Sequence, residues 1–171
     1  MNNIAGTYTF LNESDKAIPL FQEVYAERKR VLGPDHTSTL VALMNIAVSY
    51  AKMKEWANAE TYYRELWEIC KTQKEPIFNN IISAMNGAQG MMYRQGKYAE
   101  SEALEKEIIA YRQKVRGFAP EKILREEVIL ADIYYHEKKF ADAEQLLLVC
   151  LKKENAEKLP TMFFHARVCF G

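Results

Sequence analysis

The sequence predicts an all-α protein built from antiparallel helix hairpins that stack on one another, and three observations support this. A short phrase opened by an aromatic residue recurs, because Trp56, Tyr98 and Phe140 follow one another at intervals of 42 residues. Apolar residues recur three or four positions apart, which is the spacing of one helical face. Most glycines and prolines fall between these segments, and no stretch has the alternating pattern of a strand. A fixed period of about 20 to 50 residues is typical of stacked repeats.

The first hairpin is predicted over residues 1–31. The repeat register places residue 1 about one turn into the first helix of this hairpin. A turn at residues 11–15 closes that helix, since Asn12 tolerates the left-handed backbone conformation that often ends a helix. Either Ser14 or Asp15 is expected to cap the second helix, because both side chains accept hydrogen bonds from free helix amides.

The second hairpin is predicted over residues 37–71, after the clearest boundary in the chain. Gly33 is expected to end the preceding helix, and Pro34 prevents that helix from continuing. Either Asp35 or Thr37 is expected to accept hydrogen bonds from the first amides of the next helix.

Two more hairpins are predicted over residues 76–115 and 120–155, and a truncated fifth over residues 161–171. Pro76 lies 42 residues after Pro34, which sets the register of the third hairpin. Residues 1–171 are therefore expected to form a single array of about four repeats, and to be a fragment of a longer array.

Small residues recur where the two helices of a hairpin are expected to cross, because backbones approach closely only where neither side chain is bulky. One hairpin cannot bury its own apolar face, so each must stack on the next. The small residues at these crossings are Ala5, Ala17, Ala47, Ala59, Ser101, Ala131 and Ala143.

This spacing of small and large residues resembles the tetratricopeptide repeat. Ala47, Tyr50, Ala59 and Tyr63 match its pattern, and the 42-residue period with the segment Leu32-Gly33-Pro34-Asp35-His36 resembles the kinesin light chain variety. The resemblance covers essentially the whole chain. It implies a right-handed α-solenoid, a superhelix whose first helices line a concave inner groove.

Three residues depart from the pattern of that family. Glu105 stands where the family has a bulky apolar residue, Gln89 where it has alanine or glycine, and Glu127 where it has leucine. The third repeat is therefore expected to be degenerate.

The resemblance implies that residues on the first helices bind the partner. Lys52, Arg94 and His136 occupy one inner position in successive repeats and can grip carboxylates or a peptide terminus. Asn45 and Asn86 offer a donor and an acceptor, which suits a peptide backbone. Equally, these polar residues can be solvated helix ends that recur only because the repeats were duplicated. The candidate peptide-binding residues are Asn45, Lys52, Asn86, Tyr93, Arg94, Arg125, Asp132, Tyr135 and His136.

Composition narrows the class of partner and the compartment. Lys plus Arg equals Asp plus Glu at 23 each, so no net charge attracts nucleic acid or an acidic membrane. No apolar run approaches the roughly 20 residues that span a bilayer, and the first residues do not resemble a signal peptide. An odd set of cysteines without a CxxC pair indicates a reducing compartment, so a cytoplasmic location is expected.

Catalytic patterns are absent from the sequence. His36, His136 and His165 are not spaced as metal ligands, and the glycines fall singly without a phosphate-binding cluster. We therefore expect neither an enzyme nor a cofactor nor a metal site.

These observations favour a protein–protein interaction module that binds a peptide or a helix segment in its concave groove. One alternative is a structural segment that self-associates through exposed repeat ends. Another is the regulatory sensor arm of a larger multidomain signalling protein. All three hypotheses remain open at the level of sequence.

Overall fold

The computed structural model describes residues 2–11, 13–73, 78–114 and 120–157, which form α-helices and turns without a strand. The predicted fifth hairpin at residues 161–171, with His165 and Cys169, lies outside the described residues. The chain divides into two compact units, Met1–Leu104 and Glu105–Gly171. The described helices are α1 (Asn2–Phe10), α2 (Ser14–Leu32), α3 (Thr37–Lys52), α4 (Trp56–Thr72), α5 (Phe78–Arg94), α6 (Tyr98–Lys114), α7 (Pro120–His136) and α8 (Phe140–Glu157).

The recurring aromatic residues begin second helices, as the sequence predicts. Trp56 is the first residue of α4, Tyr98 of α6 and Phe140 of α8. In the first unit each helix packs on the next from α1 through α5, and in the second unit α7 packs on α8. We call α1, α3, α5 and α7 the first helices of their hairpins.

The turn inside a hairpin has the same backbone geometry wherever it is fully described. Its middle residue is Lys54, Gly96 or Lys138, with φ angles of 60°, 75° and 62°. The next residue then donates its N–H to a carbonyl five residues back. These bonds run from Glu55, Lys97 and Lys139 to Tyr50, Met92 and Tyr134 at 3.0, 3.0 and 2.9 Å. The period of the sequence is therefore also a period of backbone conformation.

The small residues predicted at the helix crossings are all buried. In the third hairpin the crossing pair is Gln89 and Ser101, which are both buried. The Gln89 Nε2 group donates to the Ser101 hydroxyl at 3.0 Å. The third repeat thus keeps its crossing by replacing two alanines with a hydrogen-bonded pair.

The predicted cap of α2 is wrong. The helix begins at Ser14, so the cap position belongs to Glu13, whose side chain makes no capping hydrogen bond. The helix begins one residue earlier than a capping Ser14 requires, and both Ser14 and Asp15 are therefore helical residues.

The predicted cap of α3 is also wrong, because neither Asp35 nor Thr37 fills that role. His36 has an extended backbone with φ −66° and ψ 135°, which lets a side chain reach the helix amides. Its Nδ1 atom accepts a hydrogen bond from the Ser38 N–H at 3.1 Å. Histidine is not among the residues usually expected at a cap, so the sequence pattern did not indicate it.

A buried carboxylate holds the α5–α6 turn against α4. Glu60 accepts hydrogen bonds from Arg64 at 2.8 Å, Gln95 at 2.7 Å and Lys97 at 2.9 Å. Burial opposes the charge of Glu60, but the bonds from Lys97, Arg64 and Gln95 outweigh it and lower the pKa of this carboxyl. The backbone beside Arg94 is therefore firmly anchored.

The second unit explains the other two departures from the repeat pattern. Glu105 and Glu126 are both buried, and Arg112 pairs with Glu126 at 2.6 Å. Burial, together with the charge of Glu126, raises the pKa of Glu105 to about 9, so this carboxyl is neutral at pH 7. Glu127 instead forms an ion pair with Lys153 at 2.6 Å.

Candidate functional site

The three basic candidates occupy one structural position, at the C-terminal ends of first helices. Lys52 is the last residue of α3, Arg94 of α5 and His136 of α7, and all three are exposed. The same position in α1 is held by the exposed Phe10. A cation at this end of a helix interacts favourably with the helix dipole, so the position has a structural benefit of its own.

Neighbouring groups orient Lys52 and Arg94 within the first unit. The Lys52 ammonium donates to the backbone carbonyl of Thr9 at 2.8 Å, in the last turn of α1. The Arg94 guanidinium lies over the ring of Trp56, 5.1 Å from its centroid, in a cation–π arrangement. Both cations are therefore positioned while they stay exposed to solvent.

Two asparagines lie half-buried on the same helices. Asn45 is seven residues before Lys52, and Asn86 is seven before Tyr93, so each pair shares one helical face. The Oδ1 atom of Asn86 is shielded from water and accepts no hydrogen bond from the described residues. Leaving a buried acceptor unpaired costs about 1–3 kcal/mol, so a rotation of the half-buried Asn86 amide that brings this oxygen to a donor at the surface would relieve a penalty.

The sequence did not single out two side chains that belong to this surface. Trp56 supports Arg94, whereas its place in the repeat indicates only the start of α4. Val41 is exposed on α3, one turn before Asn45. An apolar residue in a helix that packs on its neighbours is usually buried, so only its exposure in the folded chain distinguishes Val41 from the core residues around it.

The remaining candidates lie on α7 in the second unit and are exposed. Arg125 and Asp132 are seven residues apart and share one face. The Asp132 carboxylate lies 3.9 Å from the His136 imidazole. The Tyr135 ring makes edge contacts with His136 and Phe140, at centroid distances of 5.6 and 5.5 Å. This face is polar, with charges of both signs and an exposed aromatic edge.

Within the described ranges, no group of three histidine, cysteine or acidic side chains comes together as a metal site would require. None of the described helices combines the length and apolar character needed to cross a membrane.

Family models of the tetratricopeptide repeat match residues 1–72 and 90–121, together more than half of the chain. The sequence matches no curated protein. Its structure is similar to a Podosopora anserina protein described as a kinesin light chain with nearly identical TPR-like repeats. The TM-score is 0.74 at 20% identity, over 94% of this chain and 75% of that chain. A single-residue variant of that protein gives 0.76 at 19% identity, with the same coverage.

A third solved structure, BtubC (BKLC) from P. vanneervenii, has a TM-score of 0.77 at 17% identity. It covers 93% of this chain, which spans 63% of BtubC. At these identities the solved structures show the fold alone, and they confirm the predicted all-α solenoid of helix hairpins. Tetratricopeptide repeats generally mediate contacts between proteins, and it is to the tetratricopeptide repeat family that this chain belongs.

Proposed function

We propose that this chain is a non-catalytic module that binds an extended peptide or a helix segment of another protein on the exposed face of its first helices. The observation that carries the proposal is the Asn86 Oδ1 atom, an acceptor shielded from water that no described residue pairs with. The general role of tetratricopeptide repeats supports the same reading.

A peptide has the chemistry to satisfy that acceptor. An extended chain offers backbone N–H groups that lose their water partners on docking and need acceptors in exchange. Asn45, half-buried on α3, adds a second amide that donates as well as accepts. The peptide backbone would thus be held by amides, which is a mode of binding that tolerates many side chains.

The oriented cations supply the selective part of the surface. Lys52 is held by the Thr9 carbonyl, and Arg94 rests on Trp56. Because each keeps its charge exposed, each can pair with a carboxylate of the partner without a large reorganisation. Such charge-assisted bonds are stronger than neutral ones.

The proposal is tested by selecting peptides from a displayed library on the intact chain and measuring one of them by titration calorimetry. Asn86→Ala should weaken binding about 5- to 100-fold, which corresponds to the loss of one buried hydrogen bond. Asn58 is the matched control, since it is an exposed asparagine on the second helix α4. If both variants lose affinity equally, or if neither loses any, the Asn86 amide does not contribute to peptide binding.

A separate experiment distinguishes the binding role of the cations from their effect on helix dipoles. The triple variant Lys52→Gln, Arg94→Gln, His136→Gln should weaken binding strongly while it stays folded, with only the modest fall in urea midpoint that loss of the helix-dipole interactions causes. If the triple variant loses stability but keeps full affinity, these residues only stabilise the helix ends and do not bind the peptide.

A further inference from the structure

Two glycines lie half-buried inside α5, and packing explains only one of them. A Cβ at Gly87 would overlap the ring of Tyr63, so no side chain fits there. A Cβ at Gly90 would meet no atom within 4 Å. Gly33 and Gly96 have positive φ angles, whereas Gly90 does not. Glycine inside a helix lowers its stability relative to alanine, so neither packing nor backbone conformation accounts for Gly90.

Gly90 lies between two candidate binding residues of α5. Asn86 is four residues before it and Arg94 four residues after it, so the three positions share one face. At a rise of about 1.5 Å per residue, Asn86 and Arg94 are roughly 12 Å apart along the helix axis. The Arg94 guanidinium does not fold over Gly90, because it lies over the Trp56 ring, 5.1 Å from the centroid. The helix between the two side chains is therefore bare.

The equivalent position in the neighbouring repeat of the first unit carries a side chain. One period before Gly90 lies Val48, which is half-buried on α3. It stands three residues after Asn45 and four before Lys52. A partner on this surface must therefore clear a branched side chain at α3, whereas it can reach the helix backbone at α5.

We propose that the backbone of the bound peptide passes directly over Gly90, so that this residue sets how closely a partner approaches α5. The inference rests on the function proposed above, because it concerns the same surface and the same kind of partner. Glycine permits close approach of two backbones since it presents no Cβ. A peptide that pairs with the Asn86 amide already lies close to α5, and Gly90 lets it stay close one turn farther on.

This geometry selects the shape of the partner rather than its charge. Extended backbones pack about 4.8 Å apart, so an extended chain fits between the Asn86 and Arg94 side chains. A helix with its side chains is about 10–12 Å wide, and it would contact those two side chains before it reached Gly90. The surface at α5 therefore favours an extended peptide over a helix segment.

Titration calorimetry of a library-selected peptide against Gly90→Ala and Gly90→Leu tests the proposal. Affinity should fall in order of side-chain size, and Gly90→Leu should lose about 5- to 150-fold, as overpacking of a close contact predicts. Neither variant should unfold at a lower urea concentration than the unmodified chain, because alanine and leucine favour a helix more than glycine does. Ala103→Leu, at an exposed position on the second helix α6, should keep full affinity.

Nuclear Overhauser effects within the bound peptide provide the second measurement. An extended peptide should show strong contacts between each Hα and the next amide proton, whereas a helical one shows contacts between successive amide protons. A helical pattern would contradict the passage of an extended backbone over Gly90.

Three other results would also overturn the proposal. Full affinity of Gly90→Leu, together with weaker binding by Asn86→Ala, would exclude the close approach and leave the proposed function intact. A lower urea midpoint of Gly90→Ala would show that this glycine serves the fold. If no library peptide binds the intact chain, the proposed function fails, and the inference about Gly90 fails with it.

Discussion

The side-chain amide of Gln89 donates a hydrogen bond to the hydroxyl of Ser101 across 3.0 Å, in the buried crossing of α5 and α6. At the equivalent crossing of α3 and α4, Ala47 and Ala59 are both fully buried. Two polar residues can be buried at the α5–α6 crossing because they form a hydrogen bond with each other. Either one alone would be buried without a hydrogen-bond partner.

The two residues should therefore be energetically coupled. Ser101→Ala leaves the Gln89 amide unpaired and should lower the free energy of unfolding by about 1–3 kcal/mol. Gln89→Ala should cost a similar amount, and the double variant should cost clearly less than both single losses added together. Urea unfolding of all four proteins measures the coupling. Strictly additive losses would show that the hydrogen bond adds nothing.

The turns between helices should respond to glycine according to their φ angles. Lys54 and Lys138 adopt positive φ values, which cost residues with a Cβ about 1–2 kcal/mol. Lys54→Gly and Lys138→Gly should therefore raise the free energy of unfolding by up to about 1 kcal/mol. Gly96→Ala should lower it by a similar amount, because Gly96 has a φ of 75°. Stability changes with the same sign in all three variants would contradict the shared geometry.

Two neighbouring glycines of α5 should respond to alanine in opposite directions. A Cβ at Gly87 would overlap the Tyr63 ring, whereas a Cβ at Gly90 would meet no atom within 4 Å. Gly90→Ala should stabilise the chain by about 0.5–1 kcal/mol through helix propensity. Gly87→Ala should destabilise it by about 1–3 kcal/mol through overpacking. Thermal and urea unfolding check both values, and each variant is the control for the other.

The neutral carboxyl of Glu105 should make stability depend on pH. Its pKa is about 9 in the folded chain against a usual 4.5. Below pH 4.5 both states hold the proton, so Glu105 imposes no penalty. At higher pH the unfolded chain releases the proton first, and stability falls by about 1.4 kcal/mol per pH unit until the folded pKa is passed.

Glu105→Gln keeps the shape of the side chain and removes its titration. Between about pH 5.5 and 8 the unmodified chain should therefore lose more stability than this variant does. Glu105→Leu restores the apolar residue usual at this position, and it should be at least as stable as the glutamine variant at about pH 8. Parallel slopes in all three proteins would show that Glu105 is ionised in the folded state.

The repeat architecture could be predicted from the sequence because equivalent residues recur at a constant interval of 42 positions. Trp56, Tyr98 and Phe140 mark the same helix start three times, and recurrence averages out local ambiguity. Helix caps offer no such redundancy: each depends on which single residue takes an extended backbone, as His36 does.

Buried polar residues were the harder part to predict. Glu105 and Gln89 stood out as departures from the repeat pattern. Whether the core can accommodate them, however, depends on contacting residues that are not neighbours in sequence. Glu126 lies 21 residues from Glu105, and Ser101 lies 12 from Gln89. The candidate binding residues remain predictions.

The three matching turns make the piece of chain between two of them interchangeable. Excising residues 51–92 would join Tyr50 to Tyr93 and leave a helix that still ends in the Gly96 turn, with Tyr50 supplying the carbonyl that Met92 supplies now. Gain or loss of one such 42-residue segment leaves every helix ending in a turn geometry that the chain already contains. Evolution can therefore lengthen or shorten this protein in whole steps, without first inventing a new bend.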